Sequence, residues 1–155
     1  MAVHAEILNA NEQYAAGFEK GELPMPPGRR FAVVTCIDAR LDPARFLGLE
    51  EGDAHVIRNA GGLVTDDALR SLVISHNLLG TEEVFVIAHS DCGMLTFSND
   101  ELQERLDTDI EFLPFSDLDE SVRQSVRRVH ESPLTTDVVR GFVYEVETGR
   151  LREVA

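Results

Sequence analysis

Two short apolar runs constrain this chain more than anything else in it. FAVVTCID (31–38) and EVFVIAHSDC (83–92) begin as nearly unbroken stretches of β-branched and other apolar residues. A strand with one wet face alternates polar and apolar residues, whereas an unbroken run suits a strand buried on both faces, as in a parallel sheet. A third segment, AHVIRNAGG (54–62), reads as a strand ending in a glycine turn. Helical stretches separate the three. Asp42 and Pro43 open a short helix (PARFLGL) as N-cap and first helical residue. Thr65 or Asp66 caps a longer one, in which Leu69, Leu72, Val73, His76 and Leu79 recur at helical spacing until Gly80.

Beyond the second run, Ser98-Asn99-Asp100-Glu101 spells a capping box. Residues 107–120 are acidic and irregular, and Val122, Val126 and Val129 mark an amphipathic helix closed by Pro133. The tail GFVYEVETGRLREV reads as a strand, a turn at Thr148-Gly149 and a second strand. Strands alternating with helices predict an α/β fold, a mainly parallel central β-sheet flanked by helices with a C-terminal edge strand. At the other end, residues 4–20 predict a polar helix with a thin apolar face (Ile7, Leu8, Tyr14, Phe18), stopped by Gly21. The ELPMPPG that follows is a stiff connector, since each proline fixes φ and lacks an N–H. With 155 residues the chain has the length of one domain, 1–155, and residues 1–27 form an arm laid across that domain or a partner subunit.

Both cysteines lie at the ends of the two apolar runs, in Cys36-Ile37-Asp38-Ala39-Arg40 and His89-Ser90-Asp91-Cys92-Gly93. In an open parallel sheet ligands gather at the carboxyl ends of the strands, so the two segments can stand side by side. Cys36, His89 and Cys92 then make a Cys₂His set, the three-ligand pattern of catalytic zinc sites that keep a fourth position open. Asp38 is the candidate carboxylate beside them. Residues 36, 38 and 40 share one face if the chain stays extended, and a bidentate Arg40 could hold Asp38 clear of the metal while it takes a hydrogen bond from metal-bound water. Simpler readings exist for each residue alone: an inert core cysteine, a satisfied core histidine, a surface ion pair. Their joint spacing favours the metal. His76 reads as a packing or intersubunit residue, and His55, at the start of a strand, as an exposed side chain or a proton carrier.

Acidic residues outnumber basic ones 28 to 14, a net charge of −14, which argues against nucleic acid and anionic membranes as partners. No apolar run approaches the roughly 20 residues of a membrane span. MAVHAEILNANEQY lacks the basic start and apolar stretch of an export signal, so a cytoplasmic location with reduced thiols is expected.

The motifs Cys36-x-Asp38-x-Arg40, Arg58-Asn59-Ala60-Gly61 and His89-x-x-Cys92-Gly93 together resemble those of the β-class carbonic anhydrases, in particular its compact members. The likeness runs from about residue 30 to 97 and resumes at GFVYEVETGRL. It implies one Zn²⁺ per chain on Cys36, His89 and Cys92, and interconversion of carbon dioxide and bicarbonate by zinc-activated hydroxide. Asp38 would orient that hydroxide and Arg40 would fix Asp38. The Ala60-Gly61-Gly62 turn would border the substrate, and in a closed state Asp38 itself becomes the fourth zinc ligand. The resemblance also implies a homodimer with the N-terminal helix reaching across, higher assembly being open. Three other readings compete: a zinc hydrolase of carbonyl sulfide or carbon disulfide, a structural zinc protein, and a Cys36–Cys92 dithiol switch.

Overall fold

The computed structural model describes residues 2–155; Met1, the first residue of the expected arm, lies outside the described residues. Five strands form one sheet in the order β2-β1-β3-β4-β5, with β1 Phe31–Cys36, β2 Ala54–Asn59, β3 Glu83–His89, β4 Val139–Tyr144 and β5 Leu151–Glu153. The first four are parallel, and β5 pairs antiparallel with β4. Every residue of β1 is buried, as its unbroken apolar run requires. The tail supplies two neighbouring strands: β4 is interior, and only the short, fully exposed β5 is the edge.

Helices α3 (Asp66–Leu79) and α5 (Leu118–His130) cover one face of the sheet. Ala32, Val34, Val84, Val86 and Val143 meet Leu72, Val122, Val126 and Val129 there. Thr65 caps α3 by accepting from the Ala68 N–H, and Gly80 ends it in the left-handed conformation. The opposite face carries Phe31, Val33, Phe85, Ile87, Phe142 and Tyr144, and among the described residues only α2 (Pro43–Phe46) and the turn after it cover that side. Phe85 and Phe142 stay half-buried. Asp42 caps α2, and α4 (Asn99–Leu106) starts with the expected capping box at Ser98 and Glu101.

Four boundaries differ from the sequence reading. The N-terminal helix α1 spans Val3–Ala16 and stops at Gly17 rather than Gly21; Gly17 already loses more backbone entropy in a helix than its neighbours. Helix α1 buries none of its residues. The first apolar run leaves the sheet after Cys36, and the second leaves it after His89. Helix α5 begins within the stretch expected to be irregular. Among the described residues, no helix is long and apolar enough to cross a membrane.

Candidate metal centre

Cys36 is the last residue of β1 and His89 the last of β3, while Cys92 opens a single 3₁₀ turn three residues later. Adjacent parallel strands thus deliver all three side chains to one end of the sheet. Their donor atoms lie within 4.8 Å of one another, close enough for one ion to engage all three. The Nδ1 of His89 donates to the Ser90 carbonyl at 2.8 Å, which leaves Nε2 as a bare lone pair aimed at the thiols. Among the described residues, that Nε2 is the one buried side-chain nitrogen or oxygen without a hydrogen-bond partner. An orphaned buried acceptor between two sulfurs is costly unless a metal takes it. The set therefore fits zinc, which accepts two thiolates and one imidazole in this way.

The sulfurs are already biased toward ligation. A hydrogen bond from Cys92, then others from the Asp38 and Gly61 amides, bring Cys36 down to about 3 against the opposing effect of burial. The same sulfur contact and burial push Cys92 above the ordinary thiol range, and a metal bound by both sulfurs would displace its proton. Burial lowers the His89 pKa, but the Cys36 sulfur and the Ser90 carbonyl outweigh it and the net shift is upward.

Asp38 stands beside the donors, its Oδ2 3.7 Å from His89 Nε2. Arg40 grips it through two parallel hydrogen bonds, Nε to Oδ1 at 3.0 Å and Nη2 to Oδ2 at 2.8 Å. The route differs from a shared strand face. Past Cys36 the chain turns, and the Arg40 amide N–H also donates to Asp38 Oδ1 at 2.9 Å. The guanidinium bonds hold the Asp38 carboxyl well below the usual carboxylate range.

Three further residues brace this corner without having been singled out for it. Asp91, in the left-handed region at φ 53°, accepts from Arg40 through its carboxylate (2.9 Å) and its carbonyl (2.9 Å). Arg58 donates to the carbonyls of Cys36 and Asp38, each at 2.8 Å. The Asn59 side chain closes the glycine turn by donating to the Leu63 carbonyl (2.8 Å) and accepting from its N–H (3.0 Å). All three lie within the Arg58-Asn59-Ala60-Gly61 and His89-Ser90-Asp91-Cys92 segments, but their partners come from tertiary structure.

Within the turn, Gly61 and Gly62 are buried while Ala60 is exposed. Both glycines have positive φ, 90° and 63°. A Cβ on Gly62 would come to 3.0 Å from the Cys36 nitrogen and the Thr35 carbonyl carbon, so side chains are excluded where this turn crosses β1. The other histidines lie elsewhere. His55 pairs in register with Ala32, near the far end of β2 from Asn59 and Cys36, and its Nδ1 meets Ser75 Oγ at 2.7 Å. His76 Nδ1 donates to the Thr81 carbonyl at 2.6 Å.

A mostly parallel α/β sheet that ends in a Cys₂His cluster, with an arginine-clamped carboxylate beside it, has the donor set found in zinc enzymes that activate water. Comparison with known proteins is more specific. The carbonic anhydrase family model matches residues 31–133. β-Carbonic anhydrase 1 of Mycobacterium tuberculosis is 49% identical over 162 aligned positions covering 99% of both chains. A carbon disulfide hydrolase of an Acidianus species is 37% identical, covering 94% of this chain and 86% of its own. Among solved structures, a carbonic anhydrase from Streptococcus mutans superposes with a TM-score of 0.92 at 45% identity, covering 100% of this chain and 99% of that one. The chain belongs to the β-carbonic anhydrase family.

Proposed function

We propose that this chain catalyses the reversible hydration of carbon dioxide to bicarbonate, with one zinc ion held by Cys36, His89 and Cys92. The observation that carries this reading is the Asp38–Arg40 clamp set 3.7 Å from the bare nitrogen of His89. When bound, zinc supplies the Lewis acidity that makes water a nucleophile near neutral pH. Asp38, kept ionised, accepts a hydrogen bond from the attacking water and turns its lone pair toward the substrate carbon. Arg40 keeps Asp38 in that role, and its further bonds to Asp91 hold the guanidinium in place. Ala60, Gly61 and Gly62 form the backbone wall against which a small linear substrate lies.

We further propose that the chain works as a single domain with residues 1–27 as an arm, assembled as a homodimer in the cytoplasm. Helix α1 exposes Ile7, Leu8 and Tyr14, followed by exposed Phe18, and the half-buried Phe85 and Phe142 offer a sheet face for the same helix of a second copy. Two free thiols suit a reducing compartment.

Stopped-flow carbon dioxide hydration by zinc-quantified protein, followed from acid to alkaline pH, tests the activity. A fast rate that rises with pH is expected. One zinc per chain with no rate at any pH would overturn the reading and turn attention to the carbon disulfide hydrolase relatives.

A further inference from the structure

Phe115 touches two spaces at once. On one side its ring joins the apolar cluster of Cys36, Cys92 and Met94. It also lies 3.0 Å from where a Cβ on Gly61 would stand, so nothing bulkier than hydrogen fits between ring and turn. On the other side Phe115 lines a cavity of about 260 Å³ with Leu63, Val64, Leu113, Gln124 and Arg128, between the start of α3 and α5. Leu63 likewise neighbours both Gly61 and the cavity. Phe115 thus stands between the Cys36–Cys92 cluster and that space, with Leu63 beside it at Gly61.

Hydrogen bonds tie down the segment that carries Phe115. The Phe115 N–H donates to the Met94 carbonyl at 3.2 Å, and the Phe112 N–H to Asn99 Oδ1 at 2.9 Å. Between them Leu113 takes φ 58°, a conformation that a branched residue keeps only when its surroundings impose it.

We infer that Phe115 sets the length limit of the substrate pocket, so that carbon dioxide fits and the longer, wider carbon disulfide is held out. The inference rests on the proposed carbon dioxide hydration and names what selects its substrate. Carbon disulfide has the same linear shape, but two sulfurs lengthen it and widen both ends. The ring closes the pocket on the Gly61 side, and without it the pocket opens into the cavity. Changes of this size in an apolar pocket shift discrimination roughly 10–200-fold.

The test compares kcat/KM for carbon dioxide hydration with kcat/KM for carbon disulfide hydrolysis. The second is read as sulfide release, one carbon disulfide and two waters giving one carbon dioxide and two hydrogen sulfide. Wild type, Phe115→Ala and Phe115→Leu are measured with zinc quantified in each. The carbon disulfide to carbon dioxide ratio is expected to rise tenfold or more in Phe115→Ala and less in Phe115→Leu, while carbon dioxide hydration falls as its wall is lost. A ratio unchanged within twofold in a zinc-loaded variant, both rates falling together, overturns the inference, because a purely structural residue lowers both alike. Should Phe115→Ala not fold, Phe115→Leu decides on the same criterion. A zinc-loaded wild type inactive on carbon dioxide would instead overturn the proposed function, and the inference with it.

Discussion

At Asp38 the guanidinium of Arg40, and then the Arg40 amide, favour the charged form of the carboxyl and push its pKa far down. A depressed folded-state pKa contributes stability above the unfolded value of about 3.9, and that contribution is lost only as pH falls through the lower folded value. Asp38 therefore stays ionised across the working range and adds no acid limb to the rate profile. Asp38→Asn is expected to keep its zinc and to lose about 10–100-fold in hydration rate by a similar factor at pH 6, 7 and 8. Near-normal rates would remove Asp38 from the mechanism. Cys36→Ser should strip the metal, and full zinc occupancy by elemental analysis would overturn the ligand assignment. Gly62→Ala combines a positive φ with close backbone contacts, and a loss of at least about 2 kcal/mol is expected in urea unfolding. Residue types and spacing made the donor set and the clamp readable. Asp91, Arg58 and Asn59 were not readable in the same way, because an exposed aspartate or a strand arginine acquires its role only from the carbonyl or guanidinium that tertiary structure brings to it.

Elements were legible where local chemistry and burial agree. The unbroken run in β1, the Thr65 cap, the Gly80 stop and the Ser98 capping box each state their structure within a few residues. The interior place of β4 was not legible, because its burial alternates like that of an edge strand while Val139, Gly141 and Val143 pack under α5. Leu72 joins α3 to the sheet and is fully buried, so Leu72→Ala should cost about 2–5 kcal/mol in chemical denaturation. A smaller effect belongs to the fork in which Arg152 of β5 donates twice to Asp119 of α5, each bond 2.9 Å. The pair is partly exposed, and Asp119→Asn should cost under about 1 kcal/mol at pH 7. Arg152 lowers the Asp119 pKa, so this contribution exists above the unfolded carboxylate value and disappears as pH falls through the lower folded one. Unfolding curves at pH 7 and at about pH 2 measure the difference.

For the whole molecule, a net charge of −14 makes self-repulsion a standing cost, and a second copy must be held by apolar contact rather than by charge. Replacing Ile7, Leu8 and Phe18 together by aspartate should shift sedimentation from twice the 17.2 kDa chain mass to the chain mass itself, leaving far-UV circular dichroism nearly unchanged. A wild type that already sediments as a single chain would rule out the arm exchange.

Cys36 ends β1, whereas His89 ends β3 and Cys92 lies just past it, so the three are far apart in the order of synthesis. The thiol of Cys36 is synthesised well before His89 and Cys92, and α3 must fold back before β1 and β3 can align. A slip of one residue between those strands would turn Cys36 toward the opposite face and scatter the donors. With the proposed ligand set, a chain whose sheet closed in the wrong register would hold no metal, so metal content would report whether the sheet had closed correctly.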